Sequence, residues 1–130
     1  MRRPSEREAQ RRAAERAGRR AELIAAWFLR LKLYRVLARR YRTPVGEIDL
    51  IVRRGRTIAF VEVKQRPSEG EGFEAVRPAA ARRIARAADF WLGAHPAAVG
   101  LDCRFDIVVA IPGRRPRHLV SAFDGEGRPW

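Results

Sequence analysis

Gly46-Glu47-Ile48-Asp49-Leu50-Ile51 and Phe60-Val61-Glu62-Val63-Lys64 carry the pattern from which the architecture of this 130-residue chain follows. The first run alternates, which places Ile48, Leu50 and Val52 on one face of a strand and Glu47, Asp49 and Ile51 on the other. Thr57–Lys64 is rich in β-branched and aromatic residues and reads as a second strand returning antiparallel. Arg54-Gly55 serves as a two-residue turn between them. That turn pairs Arg53 with Arg56, Asp49 with Phe60 and Glu47 with Glu62. Directly paired residues share a face, so Glu47, Asp49, Glu62 and Lys64 are expected on one side of the hairpin. Asp49 and Glu62 become diagonal neighbours, about 7–8 Å apart at the backbone and within reach of one ion.

Three carboxylates on one face repel one another unless positive charge lies between them. Two arrangements satisfy this: an exposed face neutralised by arginines, or a divalent cation such as Mg²⁺, which uses one or two carboxylates plus water and phosphate oxygens. Lys64 is one of only two lysines among 28 basic residues. In a chain so biased towards arginine, lysine here suits a position that needs a compact ammonium rather than a planar guanidinium. Such a group holds, or helps to deprotonate, a water attacking a phosphodiester; chance placement is the plain alternative. Glu22 is the other unusual acid. It precedes seven consecutive apolar residues, and its helical neighbours Ala25, Ala26 and Leu29 are apolar. It either snorkels to the helix edge or points at the hairpin's cation site.

Outward from the hairpin, a helix is expected over Ser5–Leu31, opened by the capping-box spacing of Ser5 and Glu8. Its back half carries Ala17, Ala21, Ile24, Phe28 and Leu31 as one apolar stripe. Tyr34–Arg42 reads as a strand ended by Thr43-Pro44, and residues 65–77 as a loop. Pro78 starts a helix to Leu92, closed by Gly93 and Pro96. Arg104–Ile111 and a short His118–Ala122 are further strands. The order αβββαβ with a late short strand predicts an α/β fold, a mixed β-sheet flanked by helices. The domain spans residues 18–123, with a basic Arg/Ala-rich helical extension over 1–17 and a tail over 124–130.

The charge narrows the partners. Lys plus Arg number 28 against 15 Asp plus Glu, a net charge of +13. Eight Arg and three Glu fall within residues 1–20, so the excess extends into the body of the domain. A body so charged attracts polyanions, nucleic acid first and an anionic membrane surface second, unless the bias only mirrors an arginine-rich proteome. The lone Cys103 forms no internal disulfide, and no Cys/His cluster suggests zinc. The longest apolar run, Leu23–Leu29, is too short to span a bilayer. A cytoplasmic protein with no membrane partner is the expectation, its oligomeric state open and a homodimer included.

At these residues the chain resembles the YraN-type family of uncharacterised bacterial proteins, within the PD-(D/E)XK restriction-endonuclease-like superfamily. The resemblance covers residues 18–123. It rests on Glu22, Arg42, the run Gly46–Ile51, Phe60-Val61-Glu62-Val63-Lys64-Gln65-Arg66, and Arg104-Phe105-Asp106. It implies that Asp49 and Glu62 ligate Mg²⁺ (or Mn²⁺), that the carbonyl of Val63 adds a third oxygen, and that Lys64 is the catalytic lysine. Glu22 would be the helix acid. Arg42, Arg66 and Arg104 become candidates for contacting nucleic acid, with structural ion pairing equally open for Arg42 and Arg104. Asp106 pairs with Arg104 or a neighbouring strand. The chain departs from the family pattern at Ala21 (often glycine), Arg40 (commonly asparagine) and Ala80 (usually lysine).

A Mg²⁺-dependent endonuclease hydrolysing DNA phosphodiesters is therefore the leading expectation. A non-catalytic nucleic-acid-binding module of the same fold, and a scaffold docking through its Arg-rich helix, are the others. Fold alone decides none of them.

Overall fold

The computed structural model describes residues 5–67 and 78–126. Helix α1 (Ser5–Leu31) leads into strands β1 (Arg35–Thr43), β2 (Gly46–Arg54) and β3 (Thr57–Gln65). Helix α2 (Pro78–Ala94) and a short 3-10 turn (Pro96–Ala98) follow, then β4 (Asp102–Ala110) and β5 (Arg117–Phe123). The sheet runs β1-β2-β3-β4-β5, antiparallel except for the parallel pair β3/β4. The parallel step requires a crossover, and α2 lies within it. This is the α/β order expected, a mixed sheet flanked by helices in the restriction-endonuclease-like arrangement. Part of the loop expected over 65–77 and the end of the tail expected from 124 fall outside the described residues.

Each helix covers one face. Ile51, Ile58, Phe60, Ile107 and Val109 pack with Ala81, Ile84, Ala87, Ala88 and Trp91 of α2. Phe60 is fully buried and meets Trp91 edge-on at 5.9 Å between ring centroids. Truncating such a side chain to alanine costs about 3–5 kcal/mol. On the other face Leu50, Val52, Ala59, Val61 and Val108 pack with Ala25, Ala26 and Leu29 of α1. The stripe expected on α1 is therefore displaced. Ala21, Ala25, Ala26 and Leu29 are buried, whereas Ile24 and Leu31 are exposed along with Leu23 and Trp27. Small alanines let the helix axis approach the sheet closely, and the larger side chains take the outer side. Residues 5–16 of α1 are exposed throughout.

Two local features shape the hairpins. Thr43 and Gly46 close the β1–β2 turn, where the Thr43 hydroxyl donates to the Gly46 carbonyl (2.8 Å) and accepts from the Gly46 amide (3.0 Å). A Cβ on Gly46 would lie 2.8 Å from the Arg83 carbonyl of α2, so glycine is what lets helix and hairpin meet. In the β2–β3 hairpin the turn residues are Gly55-Arg56, not Arg54-Gly55: Arg54 pairs with Thr57 and Arg53 with Ile58. Gly55 has φ +61, the positive value that type II′ hairpin turns place at their first central position. The expected register thus slips by two residues. Asp49 thereby moves from opposite Phe60 to opposite Glu62, one step beyond the last paired rung.

The expected alternation of β2 also needs correction. Leu50 and Val52 lie on the α1 side, but Ile48 joins Ile51 in the cluster under α2. The pattern breaks at Asp49. Across from Asp49 on β1, between the rungs Arg39–Leu50 and Tyr41–Ile48, stands Arg40 with φ +50.

Candidate active site

β1, β2 and β3 bring Arg40, Asp49 and Glu62 into one row. Leu50–Val61 is the last paired rung of β2 and β3, and Asp49 and Glu62 are one step beyond it. There the Val63 amide donates to Asp49 Oδ2 at 2.8 Å. The Asp49 side chain thus takes a main-chain donor of β3 where the paired rungs end. The charge of Asp49 also reaches the Glu62 carboxyl beside it.

The surroundings favour the neutral form of both carboxyls. Burial pushes Asp49 up to about 6, with the charges of Glu22 and Glu47 adding to it against the Val63 hydrogen bond. Burial and the neighbouring Asp49 push Glu62 up to about 8, only partly opposed by Lys64. Lys64 Nζ lies 3.9 Å from Glu62 Oε1, a long ion pair. The pair is short of positive charge.

Glu22 comes from α1, on the face whose neighbours Ala25, Ala26 and Leu29 are fully buried. It neither snorkels free nor turns wholly to the carboxylates. Arg40 Nε donates to Glu22 Oε2 at 2.7 Å, while the charge of Glu22 still acts on both Asp49 and Glu62. The Glu22 hydrogen bond, and then the charges of Glu22, Glu47 and Asp49, hold Arg40 above its ordinary value. Sequence reasoning marked Arg40 only as a departure from the family pattern and missed its place in this row. The signal was its position across from Asp49, which becomes visible once β1 is registered on β2.

α1 and β1 enclose a groove of about 410 Å³ lined by Arg19, Glu22, Leu23, Arg39 and Arg40. It contains the Arg40–Glu22 pair, and the exposed Arg19 and Arg39 beside it are open to an anion. A hollow of about 500 Å³ on the other flank of α1 is lined by Gln65 but by none of the carboxylates.

The basic candidates separate. Arg42 is highly exposed, 3.8 Å from Glu47. Arg66 turns one guanidinium nitrogen to the Gln65 carbonyl (2.8 Å). Arg104 is committed elsewhere: its fork grips both oxygens of Asp106 at 2.9 Å and also donates to the Tyr34 hydroxyl at 2.6 Å. Of the two roles open for Arg104, structural pairing is the one seen. Asp106 is fully buried and accepts in addition from His118 Nε2 (2.7 Å) and the Ser121 amide (3.0 Å). Burial alone would raise Asp106, but these bonds outweigh it and hold the carboxyl below the usual range.

For a divalent ion the donor set is two carboxylates, with Glu22 nearby but bonded to Arg40. Among the described residues no three His, Cys, Asp or Glu side chains form a ready-made cage. Two neighbouring carboxylates short of positive charge nevertheless suit an oxygen-loving ion that completes its shell with water and substrate. The residues fit Mg²⁺ or Mn²⁺.

The sequence model of the uncharacterised protein family UPF0102 matches residues 21–110, which include Glu22, Arg40, Asp49, Glu62 and Lys64. A UPF0102 protein of Parvibaculum lavamentivorans is 54% identical over 111 residues, 85% of this chain and 84% of its own length. One of Methylorubrum extorquens is 50% identical over 127 residues, covering 98% and 99%. One of Chelativorans sp. is 51% identical over 113 residues, covering 87% and 91%. Among the described residues no helix is long and apolar enough to cross a membrane.

Proposed function

We propose, from the premise that the chain belongs to the UPF0102 family, that it is a divalent-metal-dependent nuclease acting on DNA. The observation that carries this reading is the Asp49–Glu62 pair, two acids set one step beyond the last paired rung of β2 and β3, with the Val63 amide on Asp49 and Lys64 beside Glu62. The resemblance to PD-(D/E)XK endonucleases supports it, as does the arginine-lined groove that holds Glu22 and Arg40.

Asp49 and Glu62 would hold the ion, with the Val63 carbonyl supplying a third oxygen. The bound ion would polarise the scissile phosphate and lower the pKa of the attacking water. The chain's own residues do the rest. The Val63 amide holds Asp49 Oδ2, so the carboxylate is oriented before substrate arrives. Lys64, within 3.9 Å of Glu62, sits where its ammonium can hold a water or a phosphate oxygen. Arg19 and Arg39 in the groove, with exposed Arg42 further along β1, neutralise the phosphate backbone. Such contacts make binding steeply salt-dependent, about −0.9 in log–log slope for each duplex phosphate neutralised.

The test pairs cutting with binding. Linear, single-stranded and branched DNA are incubated with wild type and Glu62→Ala in Mg²⁺, Mn²⁺ or EDTA, and affinity for the same oligonucleotides is measured across salt. Wild type is expected to cut only with metal, and Glu62→Ala to lose cutting while keeping metal-free binding. Tight salt-dependent binding with no cutting on any substrate would move the function to a non-catalytic module. Binding indifferent to salt would remove DNA as the partner.

A further inference from the structure

Arg40 occupies the centre of the acidic row without a part in the chemistry proposed above. Its backbone stands at φ +50, a left-handed conformation that side chains other than asparagine, aspartate and glycine seldom adopt. Residues held there persist only where their surroundings fix them, and such positions gather at functional sites. Here the surroundings are acidic. Glu22 accepts from Arg40 Nε at 2.7 Å, and Glu47 and Asp49 add their charge. The pair is well sheltered, Arg40 being 35% and Glu22 17% exposed at the side chain.

We infer that Arg40 is a positioning residue that competes with the divalent ion: by neutralising Glu22 from across the row, it weakens the site's hold on metal. The inference rests on the proposed metal site and adds a control on it. Four carboxylates (Glu22, Glu47, Asp49 and Glu62) meet three cations, Arg40 on Glu22 at 2.7 Å, Arg42 at 3.8 Å from Glu47 and Lys64 at 3.9 Å from Glu62. The tethered guanidinium makes the shortest of these pairs, and it is fixed to the acid of helix α1. With Arg40 in place, Glu22 contributes little attraction for an incoming ion. With Arg40 removed, the full charge of Glu22 is felt a few ångströms away through a partly buried medium, where charge interactions are several times stronger than in water. Ion binding loosens the Arg40–Glu22 bond in turn, because such coupling is reciprocal. The freed guanidinium then faces the groove it shares with Arg19 and Arg39.

Mn²⁺ binding to the full chain, measured by calorimetry without DNA, tests this. Arg40→Asn keeps a residue that accepts the left-handed backbone and removes the cation. Its affinity is expected to rise about tenfold, within the usual range for coupling between neighbouring sites. In a Glu22→Gln background the same substitution is expected to change affinity by less than about twofold, because Glu22 is the charge being masked. Unchanged or weaker Mn²⁺ binding by Arg40→Asn, or an equal gain in the Glu22→Gln background, overturns the inference and leaves the metal site standing. No Mn²⁺ binding by wild type or by Arg40→Asn overturns both. Binding by Arg40→Asn alone supports both. Should Arg40→Asn not fold, Glu22→Gln decides. It leaves the guanidinium unpaired beside the site and is expected to weaken Mn²⁺ binding, and an unchanged affinity there overturns the inference.

Discussion

Asp49 and Asp106 are both aspartates on inner strands, each across from an edge strand that carries a left-handed residue. Asp49 faces Arg40 (φ +50) on β1, and Asp106 faces the stretch of β5 that contains Ser121 (φ +53). They have opposite fates. Around Asp106 the register slips between Phe105 and Ile107, and the carboxylate fills the gap by accepting from the Ser121 amide, Arg104 and His118. The network runs further, with Lys32 Nζ at 2.6 Å from His118 Nδ1 and Arg54 stacked over Tyr34. Asp49 has one main-chain donor and a second carboxyl for company. An acid with more donors than it needs holds strands together. An acid short of positive charge waits for it.

The largest expected effect tests the first half of that contrast. Asp106→Ala strands Arg104 in a buried site and orphans His118 and the Ser121 amide, and breaking a buried pair this way costs about 3–5 kcal/mol. Asp49→Ala in metal-free buffer at pH 8 relieves repulsion and is expected to leave stability unchanged or higher. Urea unfolding of both variants decides, and equal losses would erase the distinction.

The pH dependence comes next in size. With Asp49 raised to about 6 and Glu62 to about 8, the metal-free folded protein keeps protons that the unfolded chain has already released above about pH 4. Stability from this pair therefore falls as pH climbs from about 4 through 8. Asp106 has the opposite sign. Its lowered value contributes stability above the ordinary carboxylate range, which is lost as pH falls through its folded value. Glu62→Gln is expected to flatten the alkaline decline and leave the acid limb in place. An alkaline limb as steep in Glu62→Gln as in wild type would show that another group governs it.

Much of this was legible in the chain. The alternation of Gly46–Ile51 and the β-rich Thr57–Lys64 were enough for the hairpin, and the αβββαβ order followed from turn and helix-end signals. The register was not, because Arg54-Gly55 and Gly55-Arg56 are both acceptable turns on paper, and only the positive φ of Gly55 at the first central position separates them. The buried face of α1 was read correctly at Ala21 and misjudged at Ile24 and Leu31, because close packing on the sheet selected Ala25, Ala26 and Leu29 instead. The acidic pair was readable from two motifs. Of the partners of Asp106, Arg104 was readable two residues away, whereas His118 and Ser121 were not, since they lie on β5 and meet Asp106 only through the sheet.

β1 is an edge of the sheet, and its exposed positions are Arg35, Arg39 and Arg42. An open edge is a template on which another chain can add a strand, and charged side chains along it are the usual deterrent. The arginines proposed to draw a polyanion to this flank would thus also be the ones that deter strand addition between two copies of the protein. Each function spends the same charge. Alone, at a net charge of +13, the protein resists self-association. Once a polyanion has neutralised that flank the deterrent is gone, so light scattering during a titration with heparin or DNA is expected to peak near charge balance and to clear again in excess polyanion. Replacing Arg35, Arg39 and Arg42 with glutamine should bring the scattering on earlier, and a peak unmoved by those changes would place the sticky surface elsewhere.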